Sequence, residues 1–242
     1  MQRIFSLPEN IAADTIVIPD KKSVHYIRDV LRLRPGGKIN VFDGRGNEYD
    51  CLVGKLSEDK VVLKIENKSL FSGDNRVKFT IACAIPKKAK MDEIIDKLTQ
   101  LGVERIIPIL TERVVVKLDK QKKTARTERW KKIAKSASEQ SQRVRMPVID
   151  PISDIEEVLS GAGGFDLKLI PTLLGERKPL KDVLPISKPA KILVLIGPEG
   201  DFTPEEVKAA VKTGCVPVSL GNLVLRVDTA AIAIAAYLTF SS

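Results

Sequence analysis

The stretch LVLIGPEGDFTPEEV, residues 193–207, decides how the chain is read. An apolar strand runs into Gly197-Pro198-Glu199-Gly200. A helix follows, with Thr203 placed as its N-cap and Glu205-Glu206 in its first turn. Open α/β sheets bind ligands in this kind of place, on glycine-bearing loops outside the carboxyl ends of strands. The loop is neither GxGxxG nor a P-loop, because no GK[ST] follows. Two acidic residues at the helix N-terminus disfavour a phosphate there and suit a neutral or cationic ligand. An ordinary strand-to-helix turn that needs glycine for its backbone would read the same way.

The stretch VSLGNLVLRVDTA, residues 218–230, repeats the design: a strand, Gly221, a short apolar loop, then Arg226 and Asp228 before a helix. Asp228 or Thr229 suits the N-cap of that helix. Arg226 is the only basic residue between Lys212 and the C-terminus, among Leu, Val and Ala. A buried arginine needs an anionic partner, and Glu199 or Asp228 is the local choice.

Around these loops the chain alternates strands and helices from Val77 onward. VKFTIACAI (77–85), VERIIPIL (103–110), FDLKLIP (165–171), KILVLIG (191–197) and CVPVSLG (215–221) read as strands. KMDEIIDKLTQLG (90–102) reads as a helix with Met91, Ile94, Ile95, Leu98 and Leu101 on one face. Thr127 to Gln142 reads as a long helix, and SDIEEVLS, PEEVKAAVKTG and DTAAIAIAAYLTF as three more. Strand–helix alternation predicts an α/β sheet covered on both faces. The first 70 residues are different in kind. IVIP, GKINVFD, EYDCLVGKL and KVVLKIE are short β-rich runs separated by turn signals, with KSVHYIRDVLRLRPGG as one short helix between the first two. A compact β-barrel with one helix is expected, and SLFSGDN (69–75) is the best linker. The predicted boundaries are 1–72 and 73–242.

Charge is regional. The formal net charge is +9; residues 1–73 carry +2, residues 74–150 carry +9 and residues 151–242 carry −2. That concentration favours an anionic partner against the basic middle segment. Lys131, Lys132, Lys135 and Arg145 are read on the outer side of the long helix, and Gln140, Arg143 and Arg145 at its end suit phosphate contacts or a partner subunit. Glu112 and Arg113 follow a strand and are expected to project from a sheet edge. The three cysteines and single histidine argue against a zinc site and a disulfide framework, and a reducing cytosol fits. His25 is expected to be partly buried, structural or facing RNA. No Ser-His-Asp set assembles around it. Residues 1–18 place charges and a proline where a secretory segment would carry one apolar run. The apolar tract Ala230–Leu238 is far shorter than the ~20 residues of a membrane span. Its uncharged helix is expected to be buried on most faces, against the sheet or a two-fold partner.

These residues resemble the bacterial 16S rRNA methyltransferases of the RsmE family, in the knotted SPOUT superfamily, which methylate uridine N3 with S-adenosylmethionine. Arg3-Ile4-Phe5, His25, Val30-Leu31-Arg32 and Val41-Phe42-Asp43-Gly44 are similar to its PUA-like RNA-binding domain. Met91 to Gly102, Thr111-Glu112-Arg113 and Glu128-Arg129-Trp130 through Glu139-Gln140-Ser141 and Arg143 resemble its middle motifs. Gly197-Pro198-Glu199-Gly200 and Leu220-Gly221 through Leu225-Arg226 with Thr229-Ala230 resemble its cofactor motifs. The pattern departs at Asp201, where glycine is expected, at Leu223 in place of arginine, and at Asp228 in place of glutamate.

The resemblance implies a PUA-like β-barrel followed by an α/β domain with a C-terminal trefoil knot, in a homodimer without metal or membrane attachment, in the cytoplasm. It implies S-adenosylmethionine against Pro171, Thr172, Leu195, Ile196, Gly197, Pro198, Glu199, Gly200, Leu220, Gly221, Asn222 and Leu225. It implies rRNA contacts from Arg3, His25, Arg28, Arg32, Arg113, Lys131, Lys135, Gln140, Arg143 and Arg145, with 16S rRNA in the assembled or nearly assembled small subunit as substrate. Catalysis falls to Arg226, with Glu199 or Asp228 orienting it or taking the proton. Two other readings compete: a relative that modifies a ribose or another base, and a non-catalytic RNA-binding protein.

Overall fold

The computed structural model describes residues 2–70, 77–87, 90–114, 118–184 and 191–241. Two compact units form: Met1–Asp74 with Ser138–Met146, and Asn75–Ala137 with Pro147–Ser242. Most of the expected linker, residues 71–75, lies outside the described residues.

The first unit holds β1 (Arg3–Phe5), β2 (Thr15–Ile18), α1 (Lys21–His25), β3 (Lys38–Phe42), β4 (Asn47–Leu56) and β5 (Val61–Leu70). The sheet order is β1-β3-β4-β5-β2, with β1 parallel to β3 and the other pairs antiparallel. Alternating side chains send Ile16, Ile39, Val41, Val53 and Leu63 into one core. The β3–β4 turn is made by Asp43, whose Oδ1 accepts from the Arg45 and Asn47 amides at 2.8 and 3.1 Å. Gly46 there has φ +109, a backbone conformation that favours glycine, and a Cβ would sit 2.9 Å from Arg145 Nε, so the arginine would have to shift to admit one. The expected single helix is shorter than its sequence suggests. After His25 the chain widens into a π-helical turn over Tyr26–Val30, with Leu31 N–H donating to Tyr26 O, five residues back. The core takes Val24 and Ile27, and His25 is left outside.

The second unit holds β6 (Lys78–Ala84), α2 (Lys90–Gln100), β7 (Arg105–Leu110), α3 (Lys120–Gln140, its last three residues in the first unit), β8 (Val148–Ile149), β9 (Ser153–Asp154), α4 (Ile155–Ser160), β10 (Leu167–Pro171), β11 (Lys178–Pro179), β12 (Lys191–Ile196), α5 (Pro204–Lys212), β13 (Val216–Ser219) and α6 (Val227–Phe240). The strand order is β11-β13-β10-β12-β6-β7-β8, with β9 beside β7, and every pairing is parallel. Both faces are covered, as a parallel sheet of near-continuous apolar strands requires. Met91, Leu98, Trp130, Ile234 and Leu238 pack on one face, and Ile155, Leu159, Phe202 and Ala210 on the other. Because the strands run the same way, the loops after β10, β12 and β13 leave from one edge of the sheet, which sets the site.

One helix differs from expectation. α3 begins at Lys120, seven residues before Thr127, with Asp119 Oδ1 accepting from the Lys122 amide at 2.8 Å. Within one chain α6 buries a stripe, Val227, Ala231, Ile234, Ala235 and Leu238, and leaves Phe240 exposed. Among the described residues, no helix is long and apolar enough to cross a membrane.

Candidate active site

The loops that follow β10, β12 and β13 enclose an open cleft of about 630 Å³, counting solvent at its mouth. Pro171 at the end of β10 and Thr172 after it come from the first connection, Gly197, Pro198 and Glu199 from the second, and Leu220, Gly221 and Leu225 from the third. Ile196, Val218, Val227 and Ala230 supply an apolar wall. Gly221 has φ +122 and nothing within 4 Å of where a Cβ would be, so bare backbone faces open space. Of the twelve residues expected against a cofactor, Leu195 is instead buried within β12, and Gly200 and Asn222 do not line the cleft. Asp201 and Leu223, the departures singled out within the cofactor motifs, line it together with Val224 of the same loop as Leu223. Leu173 and Arg177 line it from the loop after β10, beyond the expected Pro171 and Thr172.

The loop of residues 197–203 is held from three sides. Thr203 and Glu206 form a reciprocal cap on α5: Thr203 Oγ1 accepts from the Glu206 amide at 3.2 Å, and Glu206 Oε2 from the Thr203 amide at 2.8 Å. The other oxygen, Glu206 Oε1, accepts from the Glu112 amide at 2.9 Å. Arg113 donates to the carbonyls of Gly200 at 2.6 Å and Phe202 at 3.3 Å. Arg113, expected to project from a sheet edge and reach RNA, is exposed and braces this loop. Asp201 supplies the third hold, accepting from Thr172 Oγ1 at 2.9 Å.

At the mouth, the expected pairing of Arg226 with Glu199 or Asp228 does not occur. Arg226 is exposed, and its side chain has no partner among the described residues. Its position as N-cap of α6 explains this: the backbone there is extended, φ −69 and ψ 158, and the side chain leaves the apolar stripe. Asp228 is not the cap; it pairs with Lys90 at 3.1 Å. Burial pushes the Asp228 carboxyl up, but the Lys90 ammonium and the Thr229 amide outweigh it and leave it below the ordinary range. Glu199 accepts from the Lys87 amide at 3.0 Å. The Cys83 thiol, at the end of β6, is pushed up to about 12 by burial and then by the charges of Glu199 and Asp228. These groups therefore share one neighbourhood.

The residues expected to meet RNA divide. Arg3 is packed rather than presented: its side chain is 10% exposed, 4.4 Å over the Phe42 ring and 3.3 Å from Glu48. Burial lowers its pKa, partly offset by Glu48. His25, expected to be partly buried, has a 66% exposed side chain with Nδ1 2.6 Å from Asp29 Oδ2. Arg28 donates twice to Asp29, each at 2.9 Å, and with His25 holds that carboxyl at about 2. Arg32 is exposed, at φ 52. Arg145 does not extend the α3 face; it lies beyond the helix and packs on the turn at Gly46, while the Met146 amide donates to Gly44 O at 3.0 Å. Arg143 lies in the same segment and is half-buried, and Gln140 is exposed at the end of α3. Lys131 is exposed on α3 beside Glu128 at 2.8 Å, and Lys135 is half-buried. Among the described residues no group of His, Cys, Asp or Glu is placed to hold a metal ion.

Residues 73–239 match an RNA methyltransferase domain family, and residues 18–66 match an RNA methyltransferase PUA domain. The chain is 34% identical over 218 residues to ribosomal RNA small subunit methyltransferase E of Bacillus subtilis, covering 86% of this chain and 84% of that one. It is 34% identical over 230 residues to the protein of that name from Synechocystis, covering 94% and 74%. The crystal structure of a ribosomal RNA small subunit methyltransferase E from Neisseria gonorrhoeae, bound to S-adenosyl methionine, superposes with a TM-score of 0.86 at 31% identity, covering 100% of this chain and 98% of that one. A PUA domain followed by an α/β methyltransferase domain, with the cleft at the carboxyl edge of its parallel sheet, places this chain in the ribosomal RNA small subunit methyltransferase E family.

Proposed function

We propose that the protein methylates N3 of a uridine in the 16S rRNA of the small ribosomal subunit, with S-adenosylmethionine as donor. The observation that carries this reading is the cleft at the three strand ends, with Arg226, an arginine that has no partner among the described residues, close by in sequence and carboxylates at its mouth. The cleft fits that cofactor: the apolar wall suits an adenosine, the bare backbone at Gly221 allows close approach, and Glu199 and Asp201 suit a cation. Bound there, S-adenosylmethionine supplies an electrophilic methyl group on a sulfonium.

This chain's own residues then act on the uridine. N3–H is a weak acid, and its lone pair is delocalised until the proton leaves. Arg226 stabilises the negative charge that develops on the base, because its guanidinium is charged at any working pH and has no partner among the described residues to leave. Glu199 is the better placed carboxylate to take the N3 proton, since Asp228 is committed to Lys90. Deprotonation as a fast prior equilibrium requires no strongly perturbed base. N3 lies on the Watson–Crick edge, so the uridine must be unpaired or extruded.

Residues 1–72 are the RNA-binding domain in this reading, with the two register shifts between β4 and β5 curving the sheet toward a barrel. Residues 73–242 carry catalysis. β10 lies between β12 and β13, which both follow it in the chain, and this order supports the C-terminal trefoil knot. Exposed Tyr237 and Phe240 on the outer side of α6 support a homodimer. An assembled or nearly assembled subunit as substrate and a cytoplasmic location belong to the same reading. Nucleoside mass spectrometry of rRNA incubated with the protein and isotopically labelled methyl donor tests it. One labelled methyl on a uridine base is expected; label on a ribose or another base favours the related modifying reaction, and none at all favours a binding protein.

A further inference from the structure

We propose that Asp201 is a positioning residue that clamps the loop of residues 172–177 at the cleft and thereby sets cofactor affinity; the proposal rests on the functional reading above. One carboxylate ties together two segments 28 residues apart. Asp201 Oδ2 accepts from Thr172 Oγ1 at 2.9 Å and from the Leu173 amide at 2.7 Å, while Oδ1 accepts from the Phe202 amide at 2.8 Å. Thr172 Oγ1 extends the tie by accepting from the Leu174 amide at 3.1 Å. The far end is closed by Arg177, which donates to Thr172 O at 3.0 Å.

The backbone is set for this contact. Asp201 has φ +62, a left-handed conformation that few non-glycine residues adopt, and its amide closes a turn onto Pro198 O at 2.9 Å. Packing is a poor alternative explanation for the loop's position. Leu173 is 52% exposed, so little apolar burial holds the loop down. Charge-assisted hydrogen bonds to an ionised carboxylate are the stronger restraint. Thr172, Leu173, Arg177 and Asp201 all line the cleft, so the clamp and the binding surface are the same residues.

The test is a double-mutant cycle on S-adenosylmethionine affinity, measured by calorimetry in the full chain. Asp201→Asn removes the anion that accepts all three bonds, Thr172→Val removes the hydroxyl that donates one of them, and the third protein carries both. Asp201→Asn should weaken binding about tenfold, the loss expected for a charge-assisted hydrogen bond. The double variant should lose less than the sum of the two single losses, because the hydrogen bond between Asp201 and Thr172 is counted in both. Affinity within twofold of the parent in folded Asp201→Asn, or fully additive losses, overturns the clamp. A parent that binds no S-adenosylmethionine defeats the functional reading, and the clamp's role with it. Hydrogen exchange on the parent serves if the variants do not fold. The Leu173 amide should be protected and should exchange more slowly with S-adenosylmethionine present; free exchange in both states rejects the proposal.

Discussion

Lys90 Nζ lies 3.1 Å from Asp228 Oδ2, joining the first residue of α2 to the first turn of α6. The two residues are 138 apart in sequence, and the pair fixes the helix end that carries Arg226. Asp228 titrates below the ordinary carboxylate range, so the pair contributes stability above that range and loses it as pH falls through the folded value. Lys90→Met should move the Asp228 midpoint upward in a carboxyl NMR titration. It should cost less than about 1 kcal/mol in denaturant unfolding, because the pair is partly exposed. An unmoved midpoint would mean that the Thr229 amide alone sets it.

Arg226→Lys keeps the charge and loses the planar fork. It should bind S-adenosylmethionine almost normally yet lose about 2–4 kcal/mol of transition-state stabilisation, roughly 10²–10³ in single-turnover rate. Neutralising Glu199 and Asp228 together should not restore it, since neither is its partner. The parent rate should rise between about pH 7 and 9 as the N3 proton becomes easier to remove. Rates within twofold of the parent at saturating substrates would falsify the role.

Gly221→Val meets no atom, because the space beside Gly221 is open. Its effect comes through φ +122, a conformation that costs a β-branched residue about 1–3 kcal/mol and that the loop would relax away from. Cofactor binding should disappear while the protein stays folded. Calorimetry that finds undiminished affinity in a folded variant removes this loop from the site.

The α3 surface should bind backbone phosphates. Lys120, Lys131 and Lys132 are exposed there, and the triple change to Gln should weaken RNA binding across sequences. Every phosphate interaction that a substitution abolishes should lower the salt slope by roughly one unit. Unchanged salt dependence would place the RNA face elsewhere.

The thiols should be inert. Cys51, Cys83 and Cys215 are all buried, and burial pushes Cys51 and Cys83 up to about 12 and Cys215 upward too. Alkylation followed by mass spectrometry should show no labelling of the native protein at neutral pH, and three labels after denaturation. Rapid native labelling would contradict the buried placement.

Local signals were legible in the sequence by itself. The Thr203 cap with Glu206 three residues on, the glycine turn after Asp43, the apolar strands at 78–84 and 191–196 and the regional charge all act within a few residues or depend on composition alone. Even the early start of α3 had a local signal, Asp119 before a run of good helix formers. Apolar periodicity does not reveal it, because Lys120–Arg126 has almost no apolar face. Partnership was decided only by tertiary structure. Arg226 sits among apolar neighbours in sequence, yet extended backbone at the α6 cap turns it outward. Arg113 looks like a free cation at a sheet edge, yet two carbonyls near Gly200 capture it. Asp201 finds Thr172 only because parallel pairing of β10 with β12 brings their carboxyl ends to one edge. Short-range backbone preferences are written in the residues themselves, whereas a charged side chain's partner is whichever group the packed sheet carries within about 3 Å of it.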